Sequence, residues 1–333
     1  MPNGVVLNGT GGIWHVRTDA GETVAASMRG RLKKTDEGRR ADGSLRRDTV
    51  AAGERTLKLA VGDVVAVEPD ARGTGVWAIN EILPRRSKLA RRSPGGGYGE
   101  RVVAANVDQV VVVFAAARPE PHPRLLDRFL VVAEANALAA RIVVNKVELV
   151  GDGDAEAGAE IVRARFADYA RAGYPIHTTS VPNAHGLDVL HDALVGQTSA
   201  LSGPSGVGKS SLMNALYRGL NLRVGAVSES VNKGRHTTVG ALLHPLPDGG
   251  FVVDTPGVRE MGFWGLSAGE LDGLFPEFRP FLEQCRFGDC AHVAEPDCAV
   301  REAVAEGVVS AARYDSYLKL REEIVEGTPP EWG

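Results

Sequence analysis

From about residue 103 onward, short apolar runs alternate with amphipathic ones. QVVVVFAA (109–116) is an unbroken apolar run rich in β-branched residues, as expected of a strand buried on both faces of a parallel sheet. LLDRFLVVAEANAL (125–138) instead repeats its apolar positions at helical spacing. The alternation continues with a strand at RIVVN (141–145), a helix over 154–173 and a strand at PIHTTS (175–180). A helix at GLDVLHDALV (186–195), a strand at TSALSG (198–203) and a helix at KSSLMNALY (209–217) follow. Strands interleaved with helices predict an α/β unit with a mainly parallel sheet. ALLHPLPDGGFVVDT (241–255) reads as a hairpin turning at PDGG.

The first 95 residues follow a different period. GGIWHVRTDAGETVAASMRGRL (11–32) alternates and is broken by glycines, and VGDVVAVEPDARGTGVWAINEIL (61–83) reads as two strands around a Gly-rich turn. Four or five short strands in this length suit a small all-β barrel of the OB type. The charged stretch 33–55 reads as a loop or insertion. A basic segment, PRRSKLARRSPGGG (84–97), reads as a linker whose Arg85, Arg86, Lys88, Arg91 and Arg92 are either solvated or turned toward phosphates. Beyond residue 262 the pattern gives short helices and a final helix near 309–326. The expected organisation is therefore a barrel over 1–95, an α/β domain over 96–261 and a mostly helical module over 262–333.

Composition narrows the class without naming a function. The chain has 333 residues, with 44% hydrophobic and 24% charged residues and a formal net charge of -4, which is ordinary for a globular protein. No apolar run reaches the roughly 18 residues a membrane span requires. The N-terminus lacks a basic start followed by an apolar stretch, so no signal peptide and no membrane partner are expected, and the cytoplasm is the expected compartment. All three cysteines lie between 285 and 298, which argues for a metal site over a disulfide framework.

The chemistry sits in a few short stretches. GPSGVGKSS (Gly203, Pro204, Ser205, Gly206, Val207, Gly208, Lys209, Ser210, Ser211) matches the phosphate-loop pattern between a strand and a helix. Its glycines let backbone N–H groups face phosphates, Lys209 would reach the β- and γ-phosphates, and the Ser210 hydroxyl would ligate Mg²⁺. DTPG (254–257) offers Asp254 to the same Mg²⁺ and the Gly257 N–H to a γ-phosphate. NKVE (Asn145, Lys146, Val147, Glu148) ends a strand and would read a guanine, its carboxylate accepting from two guanine N–H groups while the Lys146 stem covers the base. TTSVPNAHGLD adds Ser180 and Val181 as a loop whose backbone touches the base oxygen. GRHTTV (234–239) lies where a switch segment belongs. Thr237 or Thr238 would supply a second hydroxyl to Mg²⁺, and His236 is either an exposed loop histidine or the group that positions water. Val258 stands where Ras-like enzymes carry a water-orienting glutamine. Cys285, Cys290, His292 and Cys298 form C-x4-C-x-H-x5-C, a closed donor set for one structural zinc.

Taken in chain order, these stretches resemble the circularly permuted, ribosome small subunit-dependent GTPases of the RsgA/YjeQ type. NVDQVVVVFAA, GPSGVGKSSLMNAL, GRHTTV, DTPGVRE and CRFGDCAHVAEPDCAV carry the resemblance, which covers nearly the whole chain. It implies a Mg²⁺-dependent GTP hydrolase stimulated on the small ribosomal subunit and acting in that subunit's late maturation. It also implies an OB-fold that meets rRNA, a structural zinc on the four residues above, a catalytic role for His236 and a monomer cycling between GTP and GDP. One residue departs from the pattern: the base-reading motif usually ends in Asp, and Glu148 takes its place. The permuted order also lets DTPG run directly into the Cys/His module, which suggests that a γ-phosphate contact at Gly257 reorients that module against the barrel. Without the resemblance, a P-loop ATPase or nucleotide kinase, or an RNA-binding assembly module with vestigial hydrolysis, remain open.

Overall fold

The computed structural model describes residues 2–29, 58–69, 75–92, 100–217, 220, 241–254 and 266–327. The charged stretch 33–55 and the residues His236, Thr237, Thr238 and Gly257 lie outside the described residues.

Five strands, β1 (Asn3–Thr10), β2 (Ile13–Thr18), β3 (Thr23–Met28), β4 (Val64–Glu68) and β5 (Trp77–Ile82), close into a barrel in the order β1-β2-β3-β5-β4. The β3–β5 pair is parallel and β4 closes back onto β1 antiparallel. Val6, Val16, Ala26, Val65, Val67 and Ile79 fill the interior, which accounts for the alternating pattern of these segments.

The segment read as a basic linker is structured. Lys88–Arg92 (β6) pairs antiparallel with Glu100–Ala105 (β7) as a two-stranded ribbon. The reading of Arg85 as a phosphate-facing or solvated residue is also corrected. Its Nε donates to Asp63 Oδ1 at 2.6 Å and its Nη2 to Asp63 Oδ2 at 2.8 Å, with both side chains buried. Arg86 is engaged too, gripping Asp108 with both terminal guanidinium nitrogens. The buried Arg85 and Asp63 need each other, and their pair ties the end of the barrel to the turn before β4.

The central sheet has the order β10-β9-β8-β11-β13-β12, all parallel except the edge strand β12. Its strands are β8 (Gln109–Ala115), β9 (Ala139–Asn145), β10 (Ile176–Thr179), β11 (Thr198–Ser202), β12 (Leu242–Pro245) and β13 (Phe251–Asp254). Val110, Val112 and Phe114 of β8 point into one core with Leu126, Phe129 and Leu130 of α1 (Pro123–Ala135) and Val162 of α2 (Ala155–Arg165). Val111, Val113 and Ala115 point into the other, against Leu190 and Leu194 of α4 (Leu187–Leu194) and Leu212 and Met213 of α5 (Lys209–Leu216). Both faces of β8 are covered, so its apolar run is continuous. The single helix expected over 154–173 is two. It breaks at the buried Phe166, where α3 (Ala167–Arg171) starts, so that Phe166 and Tyr169 both reach the core.

The C-terminal module consists of a 3₁₀ turn (Asp272–Leu274), α6 (Arg279–Leu282), α7 (Ala299–Ala305) and α8 (Ala311–Glu326) around Phe275, Phe278 and Tyr317. Val131 of α1 belongs to this cluster, so the module is packed onto the α/β domain. A buried ionic triad fixes the junction: Arg313 donates to Asp127 of α1 and, at 2.7 Å, to Glu277. Arg279–Glu134 (2.7 Å) and Arg128–Glu323 flank it. Among the described residues no helix is long and apolar enough to cross a membrane.

Candidate nucleotide-binding site and metal centre

The sheet has a topological switch. From β8 the chain steps to β9 and β10 on one side, then crosses back to place β11 on the other side of β8. In open α/β sheets ligands bind outside the carboxyl ends of the strands at such a point. The phosphate-loop stretch leaves β11 there, and its neighbours are the ends of β8 and β13. Asp254 closes β13 and pairs with Leu201, so it sits one strand away from the loop. The sheet therefore brings together stretches that are separated by more than a hundred residues.

Local geometry explains the loop's glycines. Gly208 has φ +94 and a Cβ there would lie 2.5 Å from Asn145 Nδ2, while a Cβ on Gly203 would lie 2.0 Å from Val113 O. The backbone thus curls tightly against β8 and against Asn145 at the end of β9, with α5 starting at Lys209. Lys209 Nζ donates to the carbonyls of Gly203 (2.7 Å) and Pro204 (2.6 Å), holding the cation inside the loop it would serve. Ser210 and Ser211 are the next residues of the same first helical turn.

NKVE is joined to the phosphate loop by its side chains. Asn145 Nδ2 donates to Val207 O at 3.0 Å, and Thr179 Oγ1 of β10 donates to Asn145 Oδ1 at 3.1 Å. Lys146, in the left-handed region at φ 62, extends Nζ to Gly206 O (2.6 Å) and to Arg118 O (2.7 Å) after β8. Val147 is buried, and Glu148 lies in the 3₁₀ turn Val147–Leu149 with Oε2 enclosed and without a hydrogen-bond donor among the described residues. An enclosed carboxylate oxygen without a donor suits a base that brings its own N–H groups. Ser180 is buried and its backbone pairs both ways with His185, while its Oγ donates to Asn183 Oδ1 at 3.1 Å. The Ser180 hydroxyl thus folds its own loop, and Val181 packs against the second core. The Arg118 carbonyl lies in no motif, and Thr179, although inside TTSVPNAHGLD, carries no sign of its bond to Asn145, since each acts through one hydrogen bond between distant stretches.

The four Cys/His residues converge. The ligating atoms of Cys285, Cys290, His292 and Cys298 all lie within 4.8 Å of one another, and His292 Nδ1 is 3.3 Å from Cys298 Sγ and 3.5 Å from Cys285 Sγ. A tetrahedral zinc with bonds of about 2.0–2.3 Å separates its ligands by about 3.5–3.8 Å, so three thiols and an imidazole at these distances fit one such ion. Burial pushes the Cys290 thiol up to about 12, and a coordinated cation is what would hold it as thiolate at neutral pH. Sequence reasoning missed Asp272, whose Oδ2 faces His292 Nε2 at 3.3 Å and fixes which ring nitrogen turns to the sulfurs. Burial works against its charge, yet the contacts from His292 and the Gly273 amide hold its carboxyl below the ordinary value. Asp272 precedes its histidine by twenty residues and lies in no motif. Tyr314 and Tyr317 brace the site from α8 through the His292 (2.6 Å) and Ala291 (2.8 Å) carbonyls.

Comparison with known proteins agrees with this geometry. A family model described as RsgA GTPase matches residues 82–264. A protein of Gemmatimonas aurantiaca named small ribosomal subunit biogenesis GTPase RsgA is 59% identical over 322 residues, spanning 97% of each chain. One of the same name from Bacteroides fragilis is 34% identical over 324 residues, again spanning 97% of each. The crystal structure of YjeQ from Thermotoga maritima matches with a TM-score of 0.76 at 33% identity, covering 97% of this chain and 98% of that one. YloQ, described as a circularly permuted GTPase, matches with a TM-score of 0.70 at 28% identity, covering 99% and 97%.

Proposed function

The chain belongs to the RsgA GTPase family, and from that premise we propose that it is a GTPase of small ribosomal subunit biogenesis. It would bind GTP in the crevice at the β8/β11 switch point and hydrolyse it in late maturation of the subunit, faster on the subunit than free. The observation that carries this reading is the direct bonding of the base-reading strand to the phosphate loop, Asn145 to Val207 and Lys146 to Gly206. One rigid unit then grips both ends of a guanine nucleotide.

In this reading the loop amides of 203–211 hold the phosphates, and Lys209 gives up the Gly203 and Pro204 carbonyls for phosphate oxygens. Glu148 accepts the guanine N–H groups, the Lys146 stem covers the ring, and the backbone at Ser180 and Val181 meets the base oxygen. Ser210 and Asp254 would hold Mg²⁺ together with Thr237 or Thr238, and Gly257 would meet the γ-phosphate. The ion, when bound, neutralises charge developing on the phosphate oxygens. His236 would orient the attacking water, because Val258 cannot. Cys285, Cys290, His292 and Cys298 would hold one structural zinc. The barrel, proposed as residues 1–95, would face rRNA, with the GTPase domain over 96–261 and the zinc module over 262–333. The chain would act as a cytoplasmic monomer.

Phosphate release from GTP, measured with and without purified small subunits, tests the proposal. The expected result is a low basal rate raised at least tenfold by the subunit and a clear preference for GTP over ATP. Absence of both stimulation by the subunit and binding to it would overturn the reading.

A further inference from the structure

The 3₁₀ turn Val147–Leu149 is pressed onto the first turns of α2 at a glycine. A Cβ built on Gly158 would lie 2.0 Å from Val147 O and 2.7 Å from Val147 C. Gly151 lies in the same contact, its Cβ position falling 2.5 Å from Gly158 N. In a helix interior glycine is disfavoured relative to alanine by about 1 kcal/mol, so a packing reason must outweigh the loss. The turn is also tied down along its length. Gly153 N donates to Glu148 O at 2.9 Å, Leu149 N to Lys146 O at 3.0 Å, and the Val147 side chain is fully buried. Asn183 Nδ2 of the Ser180 loop donates to Gly153 O at 3.1 Å, so the other base-facing loop shares the same anchor. The backbone of Glu148 is therefore fixed against α2, and only its side chain can span to a ligand. That side chain ends in a buried oxygen without a donor.

We propose that Gly158 is a specificity-positioning residue: it sets the Glu148 turn back against α2, and the longer glutamate restores the carboxylate to the guanine edge. This rests on the assignment of Glu148 to guanine recognition made above. The lengths agree. A Cβ on Gly158 must open its contact with Val147 O from 2.0 Å to at least 3.0 Å, a displacement of about 1 Å. The extra methylene of glutamate over aspartate adds one C–C bond, about 1.5 Å. Glycine with glutamate, or alanine with aspartate, are then two solutions to one distance. In this chain Glu148→Asp, although it installs the residue the motif usually carries, impairs base reading.

The test is equilibrium binding of GTP and ITP, which lacks the exocyclic amino group that a guanine presents to a carboxylate, with Mg²⁺, for four variants of the full chain. Glu148→Asp and Gly158→Ala each lower the GTP-over-ITP preference about tenfold, the loss of roughly one charge-assisted hydrogen bond. ITP affinity falls less than GTP affinity, because ITP keeps the ring N1–H but has no exocyclic amino group to lose, and the phosphate loop is untouched. The double variant Gly158→Ala/Glu148→Asp recovers at least half of the lost preference on a logarithmic scale. Thermal melting separates folding from recognition for Gly158→Ala, and Glu148→Asp leaves the contact between Gly158 and Val147 O in place and serves if that variant misfolds. An unchanged or improved preference in Glu148→Asp, or strict additivity in the double variant, overturns the inference. The fourth variant, Glu148→Ala, separates the two levels. If it leaves the GTP preference intact, the guanine assignment itself fails. If it abolishes the preference while Glu148→Asp does not disturb it, only the role of Gly158 fails.

Discussion

Replacing Arg313 by Met should release the C-terminal module from α1. Arg313 is 3% exposed and stands between Asp127, itself 1% exposed, and Glu277. Its guanidinium lies 4.7 Å from the Phe275 ring centroid and 5.1 Å from that of Tyr169. Burial opposes its charge, but the two carboxylates outweigh burial and hold its pKa above the ordinary value. Methionine fills much of the same volume, so the cavity term is small and the cost is electrostatic: two buried carboxylates face each other without their cation. Removing one partner of a buried ionic cluster costs about 3–5 kcal/mol. This acts on the packing of α8 against α1 and leaves the phosphate loop alone. Hydrogen exchange of α8 amides reads it directly, because local opening free energy sets their protection. Protection should fall on the order of 10²–10³-fold, at about 1.4 kcal/mol per decade, while β8 and β11 amides change little. Asp127→Asn/Glu277→Gln in the Arg313→Met background should restore part of the loss. A fall of less than about fivefold in Arg313→Met would show that the apolar contact at Val131, Phe275 and Phe278 holds the module unaided, and the ionic argument would be wrong.

Gly208→Ala should weaken nucleotide binding about 5- to 100-fold with the fold retained, because alanine at φ +94 is strained by about 1–3 kcal/mol and its Cβ meets Asn145. Isothermal titration with GTP checks it, and unchanged affinity would refute the close approach. Arg85→Met should lower the melting temperature measured by calorimetry, leaving Asp63 buried without its cation at about 3 kcal/mol. If Arg85 instead served rRNA, the melting temperature would hold and only subunit binding would weaken. His191 is raised above its ordinary value near 6.5, first by its hydrogen bond to Asp248 (2.9 Å), which pins α4 to the β12–β13 turn. A raised histidine gives its stability in full below pH 6.5 and loses it as the pH rises through the raised value. The site is largely exposed, so the effect stays below about 1 kcal/mol, and His191→Gln should flatten that slope in melts from pH 5.5 to 8.5.

Much of this architecture is local in origin and therefore legible along the chain. Apolar periodicity marks β8, β9 and β11 because each is covered on both faces, and the phosphate loop is recognisable because its glycines answer local backbone demands at Gly203 and Gly208. The Cys/His donors declare themselves through spacing, since all three cysteines and His292 fall between residues 285 and 298. Where the chain misleads, charge is read without its partner. Arg85 lies in a basic run, yet Asp63, 22 residues earlier, takes it into the interior.

Residue types and their order determine that this protein carries a phosphate-loop pattern, the NKVE stretch and a Cys/His cluster in permuted sequence. The crossover from β10 back to β11 is what makes one crevice of them, since only pairing in the sheet sets Asn145 against Val207. Tertiary structure alone also decides that Asp272 orients His292, that Arg313 joins the module to α1, and that Gly158 seats the turn of Glu148. Each depends on a contact between residues that no motif links, one distance or one hydrogen bond wide, and such contacts exist only once the chain has been brought together.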